Sequence, residues 1–265
     1  MLVLTLAVGL IIGITMGALG GGGAIIAVPA LVYLLGQGAR EATTGSLIVV
    51  GTTALIGAWQ AGRSGRARVG QGVLFGVLGV AGAYLGSRLA VGVPDAVLLT
   101  AFSGLLVVVA VVMIVRRRRD RTREPRGERP IVTRSPTLVV HWPRLGLLVV
   151  TASVVGLLTG FFGVGGGFVI VPALVIVLGL SMRAAVGTSL VVIVIISLSA
   201  LLSRLGEQVT LDWPVIMAFT AAAVVGSVVG SRLNDRVAPE RLSLAFTVLL
   251  LVLAATMAWQ SIPDL

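Results

Sequence analysis

Apolar positions fall along this chain in long runs separated by short polar breaks, at about residues 2–19, 24–36, 43–61, 70–91, 95–115, 145–162, 167–180, 185–203, 213–233 and 241–260. A helix that crosses a bilayer needs about 20 mostly apolar residues, and most of these runs are close to that length. The second and seventh are shorter, and they carry the clusters of glycine and a proline. With 57% of residues hydrophobic and 11% charged, the pattern predicts an all-α polytopic membrane protein and makes a soluble domain very unattractive. The chain starts in an apolar run without a basic leader or a small-residue cleavage site, so the first run reads as a retained span.

The runs repeat. Displaced by 143 residues, the stretch 13–48 aligns with 156–191, pairing Gly17 with Gly160, Gly20 with Gly163, Gly22 with Gly165, Gly23 with Gly166, Pro29 with Pro172, Gly36 with Gly179, Arg40 with Arg183 and Ser46 with Ser189. A second block, GAYLGSRL from Gly82, matches GSVVGSRL from Gly226 at an offset one residue larger. Apolar composition alone does not align Gly, Pro, Arg and Ser together. The chain therefore reads as an internal duplication: a first membrane repeat at 1–115, a basic linker at 116–144 and a second membrane repeat at 145–265. Five helical segments per repeat is an odd number, which places the second repeat upside down relative to the first.

Charge fixes the expected orientation. The net charge of +10 is concentrated in the linker, which by the positive-inside rule is cytoplasmic. The loop with Arg63, Arg66 and Arg68 then falls on the same side. Its repeat counterpart, with Arg204, Glu207 and Asp212, falls outside and lacks the positive excess. A basic, Pro-containing segment between membrane helices reads as a topology determinant that also suits anionic lipid, rather than as a nucleic-acid site.

The glycine-proline segments carry the candidate chemistry. Gly9, Gly13 and Gly17, like Ala152, Gly156 and Gly160, have the spacing of a helix-packing surface. Consecutive glycines propagate a helix poorly, so Gly20, Gly21, Gly22 and Gly23 in one repeat, and Gly163, Gly165, Gly166 and Gly167 in the other, predict broken or re-entrant half-helices. Such a break presents backbone N–H groups and a positive dipole end to a cavity, where an anion is the expected ligand. Pro29 and Pro172 suit kinks or early-turn positions. Beyond each half-helix lie Arg40 with Thr43, Thr44 and Ser46, and Arg183 with Thr188 and Ser189. Arginine and hydroxyl donors suit an oxyanion, although both arginines equally fit headgroup snorkelling. Arg88 and Arg232 read as interface anchors.

Several chemistries are excluded. There is no cysteine, so disulfides and thiolate metal sites are ruled out. His141 is the only histidine, and no metal cluster can be built around it. No Asp or Glu lies in the middle of a predicted span, so an acidic proton relay or carboxylate cation site is not visible. No intramembrane acid-base pair supports a membrane enzyme, and neither a cofactor nor a dinucleotide fold is called for.

Two copies of a G-x-G-G-G-like run leading to V-P-A-L, then A-x-x-[GT]-[ST]-S-L-like text and G-x-x-x-G-S-R-L, resemble the TauE/SafE sulfite exporter family, also called the toluene sulfonate uptake permease family. The resemblance covers nearly the whole chain except the linker. It implies a carrier of small sulfur oxyanions, such as sulfite or an organosulfonate, in the cell inner membrane. Family members include exporters and uptake systems, and the expected direction here is export. Uptake would require a coupling ion, H+ or Na+. A passive anion channel is the alternative. The first repeat departs from the family pattern at Thr44-Gly45, where the second has Gly187-Thr188, so the two hydroxyl sets need not be equivalent.

Overall fold

The computed structural model describes residues 2–90, 95–120, 132–134, 138–140, 142–162, 167–203 and 211–261. Ten α-helices are present among the described residues: α1 (Leu2–Leu19), α2 (Ala24–Pro29), α3 (Ala39–Arg63), α4 (Val69–Ala90), α5 (Asp95–Asp120), α6 (Trp142–Phe162), α7 (Gly167–Ile176), α8 (Met182–Ser203), α9 (Trp213–Arg236) and α10 (Pro239–Ser261). A tight 3-10 turn, Gly20–Gly23, joins α1 to α2, and the wider-bonded turn Ala30–Leu34 continues α2. In the linker, the three-residue strands β1 (Val132–Arg134) and β2 (Leu138–Val140) pair antiparallel. Helix α5 runs through Arg116–Arg119 to Asp120, so its helical backbone outlasts its apolar run.

Five helical stretches among the described residues are long and apolar enough to cross a membrane: Leu2–Leu34, Glu41–Arg63, Val69–Gly86, Met182–Ser203 and Trp213–Asn234. Ala101–Val115 and Gly146–Phe161 are shorter apolar helices. Leu2–Leu34 is not one rod, because Gly20 has φ +69°, a left-handed conformation that ends an α-helix. Past it the chain doubles back: a Cβ on Gly23 would stand 2.6 Å from the backbone nitrogen of Met16. Pro29 lies inside α2, where its missing N–H and bulky ring disturb the regular ladder. The wider bond from Leu35 N–H to Ala30 O follows at once.

Helix directions follow from which residues touch. Along α1 and α9, Gly9 meets Phe219, Gly13 meets Ala223 and Gly17 meets Ser227, so the two run parallel. Along α4 and α6, Gly82 meets Ser153 and Gly86 meets Leu157, so these also run parallel. Gly45 meets Ile216 and Gly57 meets Ser227, making α3 parallel to α9; Gly72 meets Val191 and Gly76 meets Ile195, making α4 parallel to α8. Gly51 meets Ser197 while Gly57 meets Leu190, so α3 and α8 are antiparallel. Because α1 and α3 point the same way, residues 20–38 must carry the chain back to its starting side. The same holds for the connection between α6 and α8. Each return ends at a glycine with positive φ, Gly36 at +67° and Gly179 at +68°.

The core is apolar and small-residue rich. Phe75, Phe219, Phe246, Met16 and Leu174 are fully buried, whereas Val3, Val77, Val154, Met217 and Val252 are exposed on helix faces, as suits side chains that contact lipid rather than water. Aromatic anchors mark the ends: Arg63 stacks 4.0 Å above the Trp59 ring, and Arg88 lies 5.4 Å from the Tyr84 ring while donating to Tyr84 Oη at 3.0 Å. This is interfacial behaviour for Arg88.

Candidate functional site

The two glycine-rich segments meet. A Cβ on Gly21 would fall on the backbone of Gly167, and one on Gly167 would fall on Gly21. Only bare backbone permits that approach. Beside it, a Cβ on Gly20 would stand 2.5 Å from Ser189 Oγ. The break of the first half therefore faces the first turn of α7 and a hydroxyl of α8. Gly20, Gly21, Gly22 and Gly23 are all buried. Gly22 faces the Phe246 ring of α10, with its Cβ position 3.0 Å from a ring carbon, and Gly23 faces Thr15 and Met16 of α1.

Ser189 is fully buried and donates to Val186 O at 2.8 Å. That bond uses the hydroxyl's single proton, which must rotate away from Val186 O to donate to an anion. Ser46, its repeat counterpart, is also buried and donates to Thr43 O at 2.8 Å. Thr188 turns elsewhere: its Oγ1 accepts the backbone N–H of Arg68 at 3.0 Å, tying α8 to the loop between α3 and α4. Thr44 is buried. Arg183 donates from Nη2 to Val237 O at 3.0 Å, six residues before Ser189, or about 9 Å along the helix axis. It belongs to the end of the bundle rather than to the glycine contact. Arg40 lies in the first turn of α3, but its side chain is outside the described residues, as are Gly163, Gly165, Gly166 and His141. Among the described residues, no group of His, Asp and Glu could hold a metal ion.

Residues outside the sequence-based selection also surround the break. Asn234 of α9 is 1% exposed, and its Nδ2 donates to Ala18 O at 2.7 Å. It thereby satisfies one of the last four carbonyls that α1 cannot pair internally. Arg66 reaches from the α3–α4 loop to donate from Nη2 to Ser231 Oγ at 3.2 Å. The signal for Asn234 was available in the repeat alignment, where GSRLN of the second half stands against GSRLA of the first. Arg66 carried no such signal, since its reach depends on the packing of α9.

Apolar helices broken by buried glycines that meet across the bundle are the architecture of a polytopic membrane transporter. The sequence profile of the sulfite exporter TauE/SafE family matches residues 5–257, and the chain belongs to that family. A probable membrane transporter protein of Xylella fastidiosa strain Temecula1 is 29% identical over 98% of this chain and 96% of its own. The probable membrane transporter protein YdhB of Bacillus subtilis is 25% identical over 85% and 87%, and a counterpart from Methanocaldococcus jannaschii, MJ0441, is 22% identical over 97% and 95%. No solved structure gives a significant match. The protein is thus a multi-pass transporter of the cell inner membrane, and the family indicates no catalytic function.

Proposed function

We propose that the protein is a secondary transporter, working as an exporter, for a small sulfur-containing anion such as sulfite or an organosulfonate. The observation that carries this reading is the backbone contact of Gly21 with Gly167 beside the Ser189 hydroxyl. It gathers glycine-broken backbone from both halves around a hydroxyl, in a bundle without a mid-span carboxylate. The family name supplies the sulfur oxyanion. Residues 1–115 and 145–265 are two inverted repeats, and 116–144 is a cytoplasmic linker. Support for the inversion comes from helix direction: α3 and α8 are matched by the duplication and run antiparallel, while α1 and α4 pack along α9 and α6 in reciprocal fashion.

In this scheme the anion binds near the bilayer midplane at the glycine contact, with Gly20–Gly23, residues 163–167, Ser46, Ser189 and Thr44 around it, while Thr188 stays on the Arg68 N–H and braces α8. Arg40 and Arg183 stand at opposite ends of the bundle and attract it. The inside-negative potential assists export by about 2.3 kcal/mol per charge per 100 mV. Uptake would instead need H+ or Na+ moving with the anion.

Counterflow in proteoliposomes tests this. Vesicles loaded with unlabelled sulfite, sulfoacetate, taurine, sulfate or acetate are expected to accelerate entry of the labelled form of one sulfur oxyanion. Gly21→Ala, whose new Cβ would fall on Gly167, is expected to abolish exchange while the protein still inserts. Conductance without counterflow would replace the carrier with a passive anion channel, and wild-type exchange by Gly21→Ala would remove the site.

A further inference from the structure

The seam between α3 and α9 holds buried polar side chains that none of the described residues satisfies. Thr53 and Ser227 are 0% exposed and Gln37 is 8% exposed. Thr53 Oγ1, Ser227 Oγ and both amide atoms of Gln37 have no hydrogen-bond partner among the described residues. Buried polar groups are normally paired, because an unpaired one bears its full desolvation penalty. These three lie along one line. Gln37 Oε1 is 3.8 Å from the Cβ position of Gly45, which also meets Ile216 of α9. Ser227 Oγ is 3.4 Å from the Cβ position of Gly57. At 100° per residue, Thr53 falls between Gly45 and Gly57 around α3. One turn beyond Ser227, the Arg66 guanidinium reaches Ser231. Polar groups therefore follow the seam from one end of the bundle to the other.

The three positions are not repeated at the matching seam, although Gln71 Oε1 on α4 is also buried without a partner among the described residues. At the repeat offsets, Gln37, Thr53 and Ser227 correspond to Leu180, Ile196 and Ala83, so the matching seam between α8 and α4 is apolar at all three positions. A requirement of packing alone would be met the same way in both halves. A requirement of the cargo need be met only where the cargo passes.

Building on the anion-carrier reading above, we propose that the α3–α9 seam is the route of the anion, with Arg66 selecting negative charge at one mouth. Gln37, Thr53 and Ser227 each offer a hydrogen-bond donor to replace those the oxyanion leaves behind in water. In the conformation described here these donors have no partner among the described residues, and water or the anion satisfies them when the seam opens.

Because the chain has no cysteine, the route can be probed in the full-length protein with single thiols. Gln37→Cys, Thr53→Cys and Ser227→Cys place one on the seam, and Leu180→Cys, Ile196→Cys and Ala83→Cys place one on its counterpart. Reconstituted variants are exposed to a small sulfonate-bearing methanethiosulfonate and, separately, to its trimethylammonium analogue. The seam thiols are expected to react about ten-fold faster with the anionic reagent than with the cationic one, and Arg66→Gln is expected to erase that preference. The counterpart thiols are expected to stay unmodified. Equal reaction on both seams, no reaction at Thr53→Cys and Ser227→Cys, or no charge preference would overturn the route. Counterflow on the same vesicles separates the two readings. Exchange without seam modification keeps the carrier and removes the route. Charge-selective modification without exchange of any anion keeps the route and removes the carrier.

Discussion

The α1–α9 and α4–α6 crossings are built on one register and finished differently. In the first, Gly13 and Gly17 lie on the backbone at Ala223 and Ser227, and Gly226 and Gly230 lie on the backbone at Leu10 and Ile14. In the second, Gly156 and Gly160 lie on Gly79 and Ala83, and Gly82 and Gly86 lie on Ser153 and Leu157. Each contact in one crossing maps onto a contact in the other by the repeat offsets. Yet α9 carries Ser227 and Asn234 where α4 carries Ala83 and Ala90. Close backbone packing was kept in both copies because lipid offers no hydrophobic force to hold loosely fitted helices together. Polar groups diverged, so they answer to something other than packing.

If the crossings are equivalent as scaffolds, Gly13→Leu and Gly156→Leu should do comparable damage, and this is the largest effect expected. At either site even the Cβ would fall on backbone, at Ala223 or Gly79, and backbone cannot rotate away as a side chain can. Overpacking costs typically 1–3 kcal/mol, on the order of the upper end or beyond for such a collision. Thermal unfolding in detergent, followed by monodispersity on size exclusion, should show both variants strongly destabilised. Damage confined to one crossing would break the equivalence.

The scaffold half of this comparison could be read in the sequence, and the chemical half mostly could not. Small residues at four-residue spacing and apolar runs of spanning length are local patterns, and α1, α6 and α9 follow them within a few residues. The break at Gly20–Gly23 was also legible, because four glycines in a row give a helix no side chains to pack and raise the entropic cost of forming it. Which hydroxyl meets that break was not. Ser189 and Thr188 are neighbours, but one faces Gly20 and the other is held by the Arg68 N–H, a choice made by helix rotation and loop placement. Arg183 suggests an anion clamp by its type and lies instead at Val237. The partners of Arg66 and Asn234 and the burial of Thr53 and Ser227 come from packing across the bundle, over sequence separations that no local pattern records.

Asn234→Leu sharpens the comparison at intermediate cost. The variant removes the donor to Ala18 O and leaves a carbonyl at the end of α1 unpaired in an apolar setting. The expected loss is about 1 kcal/mol, in keeping with buried side-chain hydrogen bonds in membrane proteins. Hydrogen exchange of the amides in the Gly20–Gly23 turn should rise, while that of the α4–α6 crossing should not. An unchanged turn would show that the amide does not hold the break.

Ser227→Ala should have the smallest effect on stability and the most informative one on function. The hydroxyl has no partner among the described residues, so its removal relieves a desolvation penalty and loses no bond. Stability should change by no more than about 0.5 kcal/mol, in the stabilising direction. Alanine is also what the first repeat already places at the matching point of the α4–α6 crossing, so packing predicts no harm. Exchange should nonetheless weaken, seen as a higher substrate concentration for half-maximal counterflow. The mirror change, Ala83→Ser, should leave exchange at the wild-type level. Were both variants wild-type in exchange, the polar difference between the crossings would have no transport role, and the orphaned hydroxyl would be a tolerated accident of divergence.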